Sequence, residues 1–586
     1  MNKEEINQIL EHKPSIEKRW LNNSKNISKK EPSGTLVNYM YLNNKNNMSN
    51  IAFSFFGNKI TYGEFFENII KVARKFKQLG VEEGDVIPLI MANTPESAYC
   101  FYALNSIGAV ACMIDPRLNE YGLMRDLNLT DSELVVSITN ACKKLKNIKD
   151  KTKLKDVIML SAVNSARNPL VKGIMNLNDL KSGNKPIKDF INWNKFMKSE
   201  SKLSLIHSNN YSGKPAAVIF TGGTTGVHKG VLLSNDSINM TVYEHNYLID
   251  NIEVGEKFLD ILPPFIAYGL TSLHLSLCFG LETILDPTSD PKLFAKQIIK
   301  YQPSIVFGGP IHWEAFSRSK CVQNTNLSFL KFPVSGGEKL PNETTEKINL
   351  VLSKGNCQNQ IFDGYGASEC CGVFSLKFGS KNTPGTVGFP LRYNNMCILD
   401  LNTREEKGYN ELGEICIAGP SIMNGYFKNQ EETERVFIID AYGRRWLKTG
   451  DLGMINEKGE LIITGRLKRI FVCGVNKVYP PEMESLIIKI PGIRKCVVTG
   501  VADKVLRTVP KVHIILDDDT KIDKEKIKEQ IINIISEKIG IEVLPKYYSF
   551  DDEFLYTGSG KIDYIRMTNL DNQELNEKEK ILIKER

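Results

Sequence analysis

Apolar residues recur along this chain in two rhythms, one helical and one of short unbroken runs. In Thr61–Leu79, TYGEFFENIIKVARKFKQL, residues Phe65, Ile69, Ala73 and Phe76 fall on one face of a helix. Thr61 and Glu64 stand at capping-box spacing, and Gly80 follows as a stop signal. The run Ala216–Phe220 reads as a buried strand entering a glycine-rich loop. Ser304–Phe307 reads as a second strand, one that breaks into a turn at Gly308, Gly309 and Pro310. Alternation of helix and strand predicts the α/β class. Between about 140 and 215 the sequence turns polar and loses sustained periodicity, which predicts in part a surface connection.

The pattern changes again beyond Gly465. Short strands, Cys496–Val501 and Val512–Leu516, precede an amphipathic helix over about Asp523–Lys538 that stops at Gly540. This predicts a large N-terminal domain over residues 1–465 and a small C-terminal α/β domain over 466–586. A chain of 586 residues exceeds what one hydrophobic core supports, which points the same way.

Composition narrows the function classes. The net charge of +7 is small for this length and no long basic run is present, so nucleic-acid binding is not expected. No apolar stretch approaches the ~20 residues of a membrane span, and the polar N-terminus resembles no signal or transit peptide. Twelve cysteines lie scattered without a C-x-x-C pair, which predicts a reduced, cytoplasmic protein whose cysteines are small core residues.

The densest chemistry lies in Thr221-Gly-Gly-Thr-Thr-Gly-Val-His-Lys-Gly230. Gly222, Gly223 and Gly226 let backbone N–H groups converge on phosphate oxygens; Thr221, Thr224 and Thr225 add hydroxyl donors; Lys229 adds a point charge. It is not a Walker A loop, because Lys229 follows His228 and precedes Gly230.

This loop resembles the phosphate loop of the AMP-forming acyl-CoA synthetases, in the adenylate-forming superfamily. Further motifs follow in that family's order: Gly364-Tyr-Gly-Ala-Ser-Glu369, Gly385-Thr-Val-Gly-Phe-Pro390, Gly413-Glu-Ile-Cys-Ile-Ala-Gly419, Trp446-Leu-Lys-Thr-Gly-Asp451, Gly465-Arg-Leu-Lys468 and Thr557-Gly-Ser-Gly-Lys561. Ser368 stands where the family usually has threonine, and Leu555 and Tyr556 replace a proline and a basic residue.

The resemblance implies a ligase that activates a fatty or aromatic carboxylic acid with ATP and Mg²⁺ as acyl-AMP, then passes the acyl group to coenzyme A. Residue by residue, it implies Glu369 as the magnesium ligand, with Tyr365 over the adenine and Gly336, Gly337 and Glu338 along its edge. Gly366 and Ser368 belong to the same nucleotide site. Asp451 would accept from the ribose hydroxyls, with Arg466 nearby, and Lys561 would bridge the substrate carboxylate and the α-phosphate. The catalytic set is therefore Lys561, Glu369 and Lys229. Electrostatic clamps of this kind suit a reaction that gathers negative charge on both partners. Lys468 would be the hinge of a mobile small domain, and Gly474, in Phe471-Val-Cys-Gly474, would clear a path for a pantetheine arm.

The acid pocket implied by the resemblance comprises Phe265, Ile266, Tyr268, Gly309 and Gly372. Ile266 stands where amino-acid-activating relatives place an aspartate and many acyl-CoA synthetases a histidine, so an α-ammonium group finds no counter-charge. The Phe-x-Ala-Tyr-Gly-Leu run is similar to one in benzoate-type ligases, and Gly372 is expected to leave room for a longer acyl chain. Two alternatives stay open at this point. One is transfer to the phosphopantetheine arm of an acyl carrier protein; the other is a nucleotide- and acyl-binding protein without catalysis.

Overall fold

The computed structural model describes residues 13–23, 31–161, 164–167, 169, 172–173, 187–198, 213–221, 229–249, 251–338, 340–377, 383–517, 523–557 and 561–584. Two sheets with parallel centres dominate the N-terminal part. One runs, from edge to edge, Phe389–Pro390, Ser375–Leu376, Phe362–Tyr365, Phe332–Ser335, Ile305–Gly308, Lys257–Asp260, Glu282–Leu285, Ile51–Phe55 and Asn58–Thr61. Its six central strands are parallel and its edges antiparallel. The other runs Gly425–Tyr426, Gly230–Ser234, Pro215–Phe220, Val110–Ile114, Val86–Ile90, Leu134–Ile138, Asp156–Leu160 and Ile191–Asn192.

The central strands read as unbroken apolar runs because both faces are covered. In Val110–Ile114, side chains Ala111 and Met113 enter the main core while Val110, Cys112 and Ile114 enter another on the opposite face. Ile305 and Phe307 likewise face the main core, and Val306 faces a third with Phe294 and Trp313. Helices Tyr62–Gln78, Pro95–Ser106 and Ala267–Cys278 contribute to the main core between the sheets. The first carries the expected capping box, Thr61 with Glu64.

A third, antiparallel sheet joins Asn395–Leu399, Gly413–Ala418, Arg445–Ile455, Phe437–Ile439 and Leu461–Arg466. After it the chain builds a hairpin, Phe471–Cys473 with Asn476–Val478, and a sheet of Ile493–Asp503, Arg507–Leu516 and Tyr547–Phe550. Helices Pro480–Ile487 and Lys524–Lys538 pack on this sheet through Met483, Ile487, Ile527, Ile531 and Ile535. Among the described residues, no core cluster mixes buried residues from the two sides of residue 466. No described helix is long and apolar enough to cross a membrane.

One expectation is narrowed and one corrected. In the polar stretch from 140, helix Thr139–Ile148 packs one face inward through Ala141, Cys142, Leu145 and Ile148, and strand Asp156–Leu160 pairs on both sides in the second sheet, so these two elements are not part of the expected surface connection. The glycines after Ile305–Gly308 form no turn; Gly309 is the N-cap of helix Pro310–Arg318, with proline at the first helical position.

Candidate active site

Parallel sheets present ligand-binding loops at the C-terminal ends of their strands. Three adjacent strands of the first sheet end together here. Gly308 pairs with Ser335 and Ser335 with Asp363, so Gly309, Gly336–Glu338 and the segment from Tyr365 to Glu369 emerge side by side. The exits are tied, Gly336 N–H donating to the Gly308 carbonyl at 3.0 Å.

The phosphate-loop sequence lies in a hairpin. Strands Pro215–Phe220 and Gly230–Ser234 pair antiparallel, and Thr221 N–H donates to the Lys229 carbonyl at 2.9 Å, closing the loop's base. Gly222, Gly223, Thr224, Thr225 and Gly226 lie outside the described residues. Lys229 Nζ forms an ion pair with Glu432 and sits 4.8 Å from the centre of the Tyr426 ring. The lysine holds the Glu432 carboxyl below its usual range.

Tyr426 belongs to a two-residue edge strand whose register sets it against Val231, beside the loop lysine. Its hydroxyl donates to Glu369 Oε1 at 2.9 Å. Burial first, then the neighbouring Glu369, pushes that hydroxyl's pKa up, so it remains a donor at any working pH. Glu369 itself rides on the short turn Ser368–Cys370, pinned through its carbonyl by Met423 N–H at 2.9 Å. Tyr426 and Glu432 escaped the sequence reading. Glycine-tyrosine and a glutamate at a helix start carry no chemical signature, and only the register reveals their partners.

Asp451 is buried, 4% exposed, and both of its oxygens are engaged. Tyr365 Oη donates to Oδ2 at 2.6 Å and Arg466 Nε to Oδ1 at 2.8 Å. Asp451 and Arg466 are direct cross-strand partners in the third sheet. The Asp451 charge holds the Arg466 guanidinium above its usual pKa, and burial pushes the Tyr365 hydroxyl up strongly. Lys561 closes this group. The turn that carries it is held by Thr557 N–H to the Lys561 carbonyl at 2.7 Å and by the bridge between Tyr556 and Ile562. Burial, then Arg466, lowers the Lys561 pKa, while Glu338, Asp451 and Glu369 pull it back up. The C-terminal lysine thus lies within electrostatic reach of Glu338, Glu369, Asp451 and Arg466.

Lys468 lies in the short turn Leu467–Arg469. Partial desolvation, then Lys229 and Arg435, lowers the pKa of this exposed lysine, and Glu432 opposes them. The residue expected as a hinge therefore shares a cationic cluster with the phosphate-loop lysine, a neighbourhood suited to polyphosphate. Gly474 sits elsewhere, at an exposed hairpin tip with φ of +62°. Its N–H donates to the Leu506 carbonyl at 3.0 Å within its own domain.

Tyr268 stacks on Phe307, ring centres 5.8 Å apart, and its side chain covers Gly336, where an added Cβ would lie 3.1 Å from the ring. Its hydroxyl is buried and meets no hydrogen-bond partner among the described residues. Ile266 is the N-cap of helix Ala267–Cys278 and offers no side-chain cap. Phe265 lies in the main core with the Arg117 guanidinium 5.1 Å from its ring centre, a packing position. Gly309 N–H donates to His312 Nδ1 at 3.3 Å.

Gly372 needs a correction. It does not open space for an acyl chain: at φ of +86°, its missing Cβ would lie 2.6 Å from the backbone of Tyr268. Glycine is there so that this turn can press against the start of helix Ala267–Cys278. Gly366 is similar, its missing Cβ only 2.1 Å from the Gly372 carbonyl oxygen.

With this geometry in view, the likeness to known proteins is decisive. The model of AMP-binding enzymes matches residues 42–427 and that of the AMP-binding enzyme C-terminal domain matches 482–561. The chain belongs to the AMP-binding enzyme family. It is 31% identical to a long-chain-fatty-acid–CoA ligase of Bacillus subtilis (strain 168), covering 87% of this chain and 90% of that protein. It is 27% identical to 4-coumarate–CoA ligase 3 of Arabidopsis thaliana, over 81% of each. Its fold is that of ATP-bound MatB from Rhodopseudomonas palustris, with a TM-score of 0.78 at 20% identity, covering 92% of this chain and 99% of that one.

Proposed function

We propose that this AMP-forming acid–CoA ligase acts on an acid with an apolar acyl group, fatty or aromatic, in two steps. The carboxylate attacks the α-phosphorus of ATP and releases pyrophosphate; the coenzyme A sulfur then attacks the acyl carbon and AMP departs. The observation that carries this reading is the placement of Lys561, from the end of the chain, among Glu338, Glu369, Asp451 and Arg466. A long cation there can hold carboxylate and α-phosphate together and offset the charge that accumulates between them.

In this reading Tyr365, Gly336, Gly337, Glu338, Gly366 and Ser368 form the nucleotide site. Asp451 retains lone pairs for ribose hydroxyls beyond the two bonds it already accepts. Thr221, the loop that follows it and Lys229 take the phosphates. Glu369 is a hard oxygen donor, and no cluster of three or more His, Cys, Asp or Glu fit to hold a metal occurs among the described residues. That donor set fits Mg²⁺ bound through one carboxylate, substrate phosphates and water. Bound there, the ion would neutralise phosphate charge. Lys468 is assigned as the hinge, with the domain boundary at 465/466, and Gly474 as the pantetheine passage once the small domain has turned.

For the acid, Tyr268, Ile266 and Gly309 border the same strand exits as the nucleotide motifs. The Bacillus and Arabidopsis relatives are named for a long-chain fatty acid and for 4-coumarate, which supports an apolar acyl group. Ile266 supplies no charge for an α-ammonium. All twelve cysteines are free thiols, which supports a cytoplasmic location. The test is a panel of fatty, aryl and amino acids assayed for AMP and pyrophosphate, with and without coenzyme A. Turnover of fatty or aryl acids to their thioesters is expected. Pyrophosphate exchange with an amino acid and with no fatty or aryl acid would overturn the substrate class, and no AMP with any acid would overturn the enzyme.

A further inference from the structure

Two acidic side chains on the rim of the large body reach across to the C-terminal domain. Glu338, just past strand Phe332–Ser335, accepts a hydrogen bond from the backbone N–H of Ile562 at 3.2 Å. Ile562 is the neighbour of Lys561, so this bond grips the lysine turn itself. Glu314, on helix Pro310–Arg318, takes Lys495 Nζ at 3.2 Å. Lys495 lies in strand Ile493–Asp503, remote in sequence from the lysine turn, and its charge also acts on Glu338. The two acids follow neighbouring strands of the first sheet, Ile305–Gly308 and Phe332–Ser335.

A single contact between two bodies leaves one free to swivel about it; two contacts at separated points fix an orientation. One contact here is made to the main chain beside the reactive lysine, and the other to the edge of the sheet behind it. We propose that Glu314 and Glu338 are positioning residues that hold the C-terminal domain in the orientation delivering Lys561 to the nucleotide. Neither needs to touch the reacting atoms. Glu338, expected from its motif to border the adenine, gains a second task. The proposal rests on the ligase reading for what the orientation achieves, but the orientation can be measured by itself.

The test uses the full-length chain with Glu314→Lys, Lys495→Glu, the double swap, Glu338→Gln and Glu338→Ala. Pyrophosphate exchange reports the first half-reaction, and thioester formation from supplied acyl-AMP reports the second. Because Lys495 and Glu314 are 34% and 20% exposed, each single charge change is expected to slow exchange about two- to fivefold. The swap is expected to restore it to within about twofold of the native rate. The Glu314 and Lys495 variants are expected to leave thioester formation unchanged. Glu338→Gln keeps an acceptor oxygen and is expected to lose less exchange than Glu338→Ala, which should fall about tenfold. Trypsin supplies a readout independent of catalysis, since Arg466 and Lys468 are exposed between the bodies. Cutting there is expected to quicken two- to fivefold in each single charge variant and to return to the native rate in the swap. Equal loss in both half-reactions, or a swap that rescues neither exchange nor trypsin resistance, would overturn the proposal. If the trypsin pattern holds while no acid yields acyl-AMP, the positioning stands and the ligase reading falls. Should Glu314→Lys fail to fold, the Glu338 pair decides, and equal effects of Gln and Ala on exchange and on cutting count against it.

Discussion

Replacing Tyr426 with phenylalanine removes one oxygen and leaves the ring in place. That oxygen donates to Glu369 Oε1 at 2.9 Å from a side chain 9% exposed, and the ring seats Lys229 at 4.8 Å. A hydrogen bond to a charged acceptor contributes about 1.5–3 kcal/mol. Glu369 is only partly buried, and water can replace some of the lost bond, so the lower end applies. About 1.4 kcal/mol corresponds to a tenfold rate change, so Tyr426→Phe should slow acyl-AMP formation about tenfold at saturating Mg²⁺ and ATP. Tyr426→Leu also removes the ring face under Lys229. A cation–π contact is worth about 0.5–1 kcal/mol at such a site, so a further two- to fivefold loss should appear, mainly in the KM for ATP. The assay is pyrophosphate exchange with a fixed acid, beside thermal melting to show that each variant is folded. A folded Tyr426→Phe enzyme within twofold of native would refute the claim that this hydroxyl orients Glu369.

Two further substitutions test other parts of the structure. Gly372→Ala must place a Cβ at a φ of +86° and 2.6 Å from the Tyr268 backbone, so the turn or the helix must shift; a loss of roughly 2 kcal/mol or more in denaturant unfolding is expected, and a neutral variant contradicts the packing described. Burial pushes the Glu244 carboxyl from its ordinary 4.5 up to about 8, so between these values the folded state holds a proton that the unfolded chain releases. The stability this group contributes is full below about 4.5 and is lost as pH rises through about 8; Glu244→Gln should flatten the fall in stability between these limits, and an unchanged slope would contradict it.

Much of the candidate site is proposed from short motifs with a fixed order, and the structure brings several of their residues together. Lys229, Asp451, Arg466 and Lys561 each stand next to a glycine, and Glu369 follows Gly364-Tyr-Gly-Ala-Ser, so each is marked by its own short motif. The capping box at Thr61 was equally local. What escaped was set by pairing across the chain. Tyr426 finds Glu369 only through the register of a two-residue strand. Glu338 grips a residue 224 positions away, which no spacing rule predicts. Gly372 is visible as a glycine, but the backbone it accommodates is that of Tyr268, at the start of a helix far earlier in the chain, so spacing alone suggests room for substrate instead of close packing. Strand Asp156–Leu160 was hidden in a lysine-rich stretch because four buried residues make too short a pattern to stand out.

The central claim is that Lys561 serves acyl-AMP formation and is absent from the site during thioester formation. It is tested by the two half-reactions of Lys561→Ala, measured separately. A clamp on developing charge typically contributes about 3–4 kcal/mol, so acyl-AMP formation should fall by two to three orders of magnitude. Transfer from supplied acyl-AMP to coenzyme A should change by less than about fivefold in the same preparation. Equal loss in both steps would contradict the account, because a lysine held among Glu338, Asp451 and Glu369 in one orientation cannot also serve the step that requires the domain to turn away.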